Sequence, residues 1–457
     1  MYQLDIGKIK NICITNKDLL TGIVGSFVVK IGAVLVAFFT TPAYMRFFTN
    51  QAVLGIWFTL VSVFNMFLQF DLGLGNGLRN RLTESLAQND KELSKKYVSS
   101  AYVSIIIFTL FLWLFIVCLL GLIPLNEILN ISQAVIPSWA LKRGVFICLI
   151  GLCGQCVFRL VTSVFYALQK AAVPSFLLLI SNFMILLVAW AAPNEGNISD
   201  NFLLLSTAYA FLSNVPLIVA TIWVFLNEMV FCVPSIRCFD LKIAKDLLGL
   251  GLTFFYLQAL GSIMISCNEF LITIFLSPEK AVDYQVYYKI FSLPYTVYSL
   301  FIASFWSAIT KAKTEKKYGW LKNTYKVICI IILLLSVSAF LLVIFVPYVV
   351  KIWLREQARQ VEIYTEYCLW FAAWCAANMW LRGNCVFANG LEWMKTQKIL
   401  MPFGCIINMI GAILLMKTSK AWISVIQINV FISLIMGIIQ SLVITRKLYY
   451  ISEEKTL

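Results

Sequence analysis

The chain has 457 residues, 61% hydrophobic and 13% charged, with 36 lysines and arginines against 22 acids and a formal net charge of +14. Soluble domains are about 25% charged, so this composition excludes an ordinary soluble protein and gives a polytopic membrane protein. The chain has no histidine, which excludes His-based zinc sites, Ser-His-Asp chemistry and a histidine pH switch, and leaves proton coupling to Asp, Glu or lipid phosphate.

The N-terminal run MYQLDIGKIKNICITNKDLL lacks the apolar core of a signal peptide, so the first span is expected to act as its own insertion signal. A span needs about 20 apolar residues. Twelve such stretches follow in order, at 20–44, 52–72, 97–121, 144–168, 172–192, 202–226, 247–276, 284–309, 327–350, 362–388, 396–416 and 421–445. Pro42, Pro124, Pro193-Asn194, Pro234 and Ser277-Pro278 mark turns between them. No loop is long enough to form a separate domain.

The 13 cysteines fall mostly within spans, where they pack as small hydrophobes. Cys153 and Cys156 form a C-x-x-C inside an apolar segment and are read as packing, not redox or metal chemistry. No metal and no cofactor is expected. With both termini cytoplasmic, 23 lysines and arginines lie in inside connections and 9 in outside ones, a strong positive-inside bias. The basic charge therefore reports topology, and no nucleic acid is expected.

Superposing Phe48 on Leu276 and Tyr97 on Tyr325 lays FFTNQAVLGIW against FLSPEKAVDYQ. Each copy then runs through a basic cytoplasmic stretch, RNRLTESLAQNDKELSKK or KAKTEKKYGWLKNTYK. The sequence thus predicts an all-α polytopic membrane protein with twelve transmembrane helices in two six-helix halves. A pseudo-two-fold axis along the membrane normal relates such halves. Residues 1–226 form the N-terminal half, 227–246 a cytoplasmic linker and 247–457 the C-terminal half.

Four cations lie inside these spans: Lys30, Arg159, Lys289 and Arg382. Each costs on the order of 2.5–3.5 kcal/mol at a bilayer centre, so four of one sign point to a polar path for an anionic group. The rise of about 1.5 Å per helical residue puts Lys30 and Arg159 in the inner halves of spans 1 and 4 and Lys289 in the outer third of span 8. Arg382 lies about 9 Å from the inner interface, where snorkelling is the competing reading. Glu269 shares the depth of Lys289, and an ion pair and a substrate or proton-coupling role are both open for it. Glu366 lies close to the outer interface and is read as solvated.

Span 2 ends in FDLGLGNGLRNRL. Asp71 there is an anion near a helix C-terminus, which the macrodipole disfavours. Arg79 or Arg81 is the expected partner, as an interfacial cap or as a cytoplasmic gate whose ion pair breaks on opening. The polar residues Asn65, Gln69, Gln155, Asn182, Asn214, Gln258, Asn268, Asn378 and Asn384 are expected to hydrogen-bond between helices, and some to face sugar hydroxyls. The basic cytoplasmic segments suit anionic lipid.

The run from Thr41 to Ala87, with TPAYMRFFTNQAVLGIWFTL and FDLGLGNGLRNRLTESLAQND, resembles the start of Wzx-type O-antigen and polysaccharide flippases of the multidrug/oligosaccharidyl-lipid/polysaccharide exporter superfamily. Gly55, Trp57 and Asp71 to Asn76 match the family pattern; Leu54 stands where a tyrosine is common. The resemblance implies an alternating-access carrier that moves polyprenyl-pyrophosphate-linked repeat units from the cytoplasmic to the periplasmic leaflet of a bacterial inner membrane. It implies a cationic lumen, ion coupling, and a lipid portal between spans 1 and 8, which carry Lys30 and Lys289. The expected partners are the lipid-linked oligosaccharide, membrane lipids, and the polymerase and chain-length machinery of the same pathway. The alternative is a multidrug or small-solute antiporter of the same fold, which is disfavoured because the N-terminal half has no acid deep in a span. An enzyme is not expected, because the outer loop at 122–143 carries one acid, Glu127, and no paired carboxylates or nucleophile and base.

Overall fold

The computed structural model describes residues 17–68, 73–170, 172–192, 196–391 and 393–453. Among the described residues, fifteen α-helices of eight residues or more carry the fold. The first nine are α1 (Lys17–Phe47), α2 (Gln51–Phe67), α3 (Leu74–Ala87), α4 (Lys91–Leu122), α5 (Ser138–Phe158), α6 (Leu160–Ala167), α7 (Ala172–Ala191), α8 (Ile198–Leu212) and α9 (Val215–Trp223). Six longer ones follow: α10 (Leu241–Phe275), α11 (Pro278–Thr314), α12 (Tyr318–Leu354), α13 (Thr365–Gly390), α14 (Lys395–Ser419) and α15 (Ser424–Glu453). No strand occurs among the described residues. Where described, each of the twelve apolar stretches is mostly helical.

Eight helical segments are long and apolar enough to cross a membrane, and Ile31–Phe47 and Gln51–Phe67 are shorter apolar ones. Much of this apolar surface faces outward: Phe111 is 72% exposed, Leu122 83% and Ile352 78%. In water that would be a large liability; in a bilayer it is the lipid face.

Local chemistry sets the helix starts. Asn50 Oδ1 accepts the amides of Ala52 and Val53 ahead of α2. The Asp90 carboxylate accepts the Leu93 amide at 2.9 Å ahead of α4. Asp240 Oδ1 accepts the Lys242 amide at 2.7 Å ahead of α10. Such side-chain acceptors satisfy amides that the first turn leaves orphaned. Three features differ from the sequence reading. Pro42 lies inside α1 and not in a turn, a placement that membrane helices tolerate. Span 4 is interrupted at Arg159, between α5 and α6, and span 6 at Ser213 and Asn214, between α8 and α9.

Two compact units divide the chain. The first comprises residues 1–48, 68–125 and 136–255, the second 49–67, 126–135 and 256–457. Helix α2 thus belongs to the second unit and the first turns of α10 to the first.

In the first unit, α1 packs on α7, α5 on α8, and α3 on α4 and α6. Leu74, Leu78 and Leu82 recur every fourth residue along α3 and are fully buried against Val98, Tyr102 and Ile105 of α4 and Val161 and Val164 of α6. Helices α5 and α8 meet at small residues: a Cβ on Gly151 would lie 2.6 Å from the Ala210 Cα. Close approach through glycine is the usual packing device where lipid supplies no hydrophobic drive.

In the second unit, α13 packs on α11, α12 and α15, α14 on α15, and α2 on α11. Phe371 lies at the centre of an aromatic cluster with Tyr284, Tyr287, Trp374 and Trp422. A Cβ on Gly55 would fall 1.7 Å from the Pro278 carbonyl oxygen, so this glycine is what lets α2 touch the backbone at the start of α11. Its neighbour Trp57 is fully buried.

Candidate functional site

In the first unit the chain loosens at Arg159. The Thr162 amide bonds the Arg159 carbonyl at 2.9 Å, a tightened turn, and the Thr162 hydroxyl donates to the same oxygen at 2.8 Å. The Arg159 side chain is exposed. Its guanidinium donates to the Leu68 carbonyl at 2.8 Å, one residue beyond the end of α2. A cation on a helix's last carbonyls is favourable, because the backbone dipoles leave partial negative charge there. Arg159 makes no ion pair among the described residues, so the rest of its guanidinium fork remains available to an anion.

Two further cations belong to α3. Arg79 is exposed and sits over the Tyr166 ring, 4.8 Å from its centroid. Arg81 is engaged by Asp246 of α10, with Nε 2.7 Å from Oδ2 and Nη2 2.8 Å from Oδ1, and its Nη1 lies 3.0 Å from Glu84. These hydrogen bonds raise the pKa of Arg81, with the Asp246 bond the largest cause, so it stays charged at any working pH. The same contact brings backbones together: a Cβ on Gly77 would lie 2.3 Å from the Leu247 carbonyl oxygen. Asp71 lies outside the described residues. Sequence reasoning missed Asp246 because it searched the local motif. The available signal was an acid in the basic run LKIAKDLL.

In the second unit, Arg382 of α13 is exposed and has no hydrogen bond or ion pair among the described residues. Tyr295 and Tyr298 of α11 lie within its electrostatic reach. Glu269 of α10 is 4% exposed, and its Oε2 has no hydrogen-bond partner. It stands beside Ser62 of α2 and within the field of Lys289. Lys289 of α11 is half-buried, and no ion pair joins it to Glu269. Lys30 lies in α1, but its side chain is outside the described residues.

Several polar residues bond across helices. Asn214 donates to the Gly151 carbonyl at 2.8 Å. Asn378 donates to Asn429 Oδ1 at 3.1 Å. Asn384 accepts from the Tyr325 hydroxyl at 2.7 Å and donates to the Gly437 carbonyl at 3.1 Å. Asn268 donates to the Tyr284 hydroxyl at 3.2 Å. Asn378 and Asn384 are therefore committed to structure. Cys153 and Cys156 carry no disulfide, and no cluster of three or more metal-ligating side chains occurs among the described residues.

No family model matches this chain. An inward-facing multidrug resistance MATE family transporter of the MOP superfamily superposes with a TM-score of 0.75, covering 94% of this chain and 99% of its own at 12% identity. The fold is that of the MATE transporters. A second MATE-fold structure, a MOP superfamily transporter from Pyrococcus furiosus, aligns with a TM-score of 0.65 at 13% identity, covering 94% of this chain and 96% of that one. Its description reads that reverse polarity of the binding pocket suggests a different function. In sequence, a protein of Yersinia pseudotuberculosis named for O-antigen export is 22% identical over 402 residues, 85% of each chain. The chain is thus an all-α membrane protein of transporter fold, with twelve transmembrane spans in two halves. In sequence it is similar to an O-antigen export protein and in structure to MATE transporters.

Proposed function

We propose that the protein is a flippase. It moves polyprenyl-pyrophosphate-linked oligosaccharide repeat units from the cytoplasmic to the periplasmic leaflet of a bacterial inner membrane, by ion-coupled alternating access and without catalysing a covalent step. Both termini face the cytoplasm. The observation that carries this reading is the polarity of the intramembrane charge. Arg159 and Arg382 are exposed within apolar stretches and have no carboxylate partner among the described residues. Uncompensated cations at such depth are expensive unless they serve an anion. A diphosphate offers two or more formal charges and several acceptor oxygens, the chemistry an arginine fork binds best. The O-antigen export relative and the reverse-polarity pocket described for the Pyrococcus protein support the same direction.

Lys30 and Lys289 extend the proposed cationic path, and Asp71 with Arg79 and Arg81 remains the proposed cytoplasmic gate. Glu269, buried with an unpartnered oxygen, is the proposed coupling group. The polymerase and chain-length machinery of the same pathway are the proposed partners. The same buried acid on a MATE fold favours the second reading, a multidrug or small-solute antiporter.

Deletion of the gene decides between them. Loss of surface polysaccharide, with single repeat units trapped on polyprenyl pyrophosphate in the cytoplasmic leaflet, is the flippase result. Normal polymer with altered drug tolerance overturns it in favour of the antiporter.

A further inference from the structure

At one end of the second unit, four helix ends meet around a shallow recess of about 100 Å³ lined by Lys313, Tyr318, Leu321, Leu391, Trp393 and Leu448. Lys313 comes from the last turn of α11 and Tyr318 and Leu321 from the first turns of α12. Leu391 and Trp393 follow α13, and Leu448 lies near the end of α15. The three leucines are buried, between 1% and 6% exposed, and form an apolar floor. Tyr318 and Trp393 are half-buried walls. Lys447 stands over the Trp393 ring, 4.8 Å from its centroid.

The segments that supply the lining are basic in sequence. Lys316 and Lys317 occupy the turn between α11 and α12, Lys395 and Lys398 open α14, and Arg446 precedes Lys447. Glu315, in the α11–α12 turn, pairs with Lys317 at 2.7 Å; Glu392 lies outside the described residues. In the proposed topology this end faces the cytoplasm, where anionic lipid gives the leaflet a negative surface potential. Nearby Trp320 is 43% exposed, as a residue anchored at a membrane interface is.

An apolar floor, an indole wall and the ammonium groups of Lys313 and Lys447 match an interfacial ligand with an anionic head and an apolar stem. We propose that this recess is a site for an anionic phospholipid, whose phosphodiester sits among Lys313 and Lys447 and whose glycerol and upper acyl carbons lie on Leu321, Leu391 and Leu448. Trp393 holds Lys447 in place, so it acts as a positioning residue. The site rests on the proposed topology and not on the identity of the transported substrate.

The test is native mass spectrometry of the purified full chain, taken from nanodiscs of phosphatidylglycerol mixed equally with phosphatidylethanolamine. Phosphatidylglycerol should be retained at least several-fold over phosphatidylethanolamine. The Lys313→Gln, Lys447→Gln double variant should lose that preference, while Lys351→Gln at the far end of α12 keeps it. Equal retention of the two lipids by the unaltered protein overturns the proposal, as does unchanged preference in the double variant. A third arm adds polyprenyl phosphate: displacement of phosphatidylglycerol at equimolar amounts would assign the recess to the substrate lipid and overturn the phospholipid assignment. Melting of each variant in one detergent separates lost binding from lost folding. None of these readouts depends on transport, so they stand apart from the gene-deletion result.

Discussion

Arg81 and Asp246 are joined by two parallel hydrogen bonds, 2.7 and 2.8 Å long, across 165 residues of chain. The pair ties α3, which follows span 2, to the first turn of span 7. Both side chains remain partly exposed, 29% and 40%, so water screens the attraction. The geometry is bidentate, which places the pair above a typical surface bridge. Arg81→Ala or Asp246→Ala should each lower stability by about 1 kcal/mol and shift the melting temperature of the purified protein downward. The exchange Arg81→Asp with Asp246→Arg should recover part of that loss. If the exchanged protein melts no higher than the single variants, the pair does not contribute through its charges.

Arg159 is predicted to have two separable functions. Its Leu68 bond is a contact that Lys can partly replace, whereas its planar fork for a diphosphate is not. Arg159→Lys should therefore insert and melt like the unaltered protein and still lower surface polysaccharide. Arg159→Ala should lower polysaccharide further, by tenfold or more if about 1.4 kcal/mol of anion binding is lost. Normal polymer from Arg159→Ala and from Lys30→Ala would refute the cationic path.

Two glycines should refuse a methyl group. Gly55→Ala and Gly77→Ala each drive a Cβ into a backbone carbonyl, at 1.7 and 2.3 Å, and backbone yields less easily than a side-chain tip. Each should cost about 1–3 kcal/mol or more, read as lower yield and melting temperature in detergent. Gly121→Ala, whose Cβ would meet nothing within 4 Å, is the control and should be neutral or stabilising.

The hydrogen-bonded triad of Tyr325, Asn384 and half-buried Ser441 holds α12, α13 and α15 together. Asn384→Leu removes the acceptor for Tyr325 and the donor to Gly437. Interhelical hydrogen bonds in membranes contribute about 0.6 kcal/mol on average, so the loss should be about 1–2 kcal/mol, seen as a lower unfolding midpoint in a denaturing detergent titration.

The coupling proposal makes its own prediction. Glu269→Gln keeps shape and removes the titrating proton. Transport into everted vesicles should lose its dependence on an imposed pH gradient while the protein still melts normally. A dependence that survives Glu269→Gln would exclude this carboxyl as the coupling group.

The spans were legible because apolar length is a local property that twelve stretches satisfy without reference to one another. Capping residues such as Asp90 were equally local. What escaped was what distance in sequence conceals. The local motif offers Asp71 as a partner for Arg79 or Arg81, and nothing near Arg81 in sequence points to Asp246. Arg159 was legible as a misplaced charge, but its Leu68 carbonyl partner carries no side-chain signature at all. The break at Ser213 and Asn214 was hidden by the unbroken apolarity of its flanks, although Pro216 two residues on was a clue.

The placement of α2 with the second unit has a bearing on how this protein can be cut. A gene split within 227–246 would give a C-terminal fragment without the helix that fills the surface around Pro278 and Thr273, including the buried hydroxyl pair Thr59 and Thr273 at 2.6 Å. Expressed alone, that fragment would present an open seam to lipid. Co-expressed with its complement, it should be rescued only by an N-terminal piece that still carries residues 49–67, which makes fragment complementation an assay for how α2 is shared.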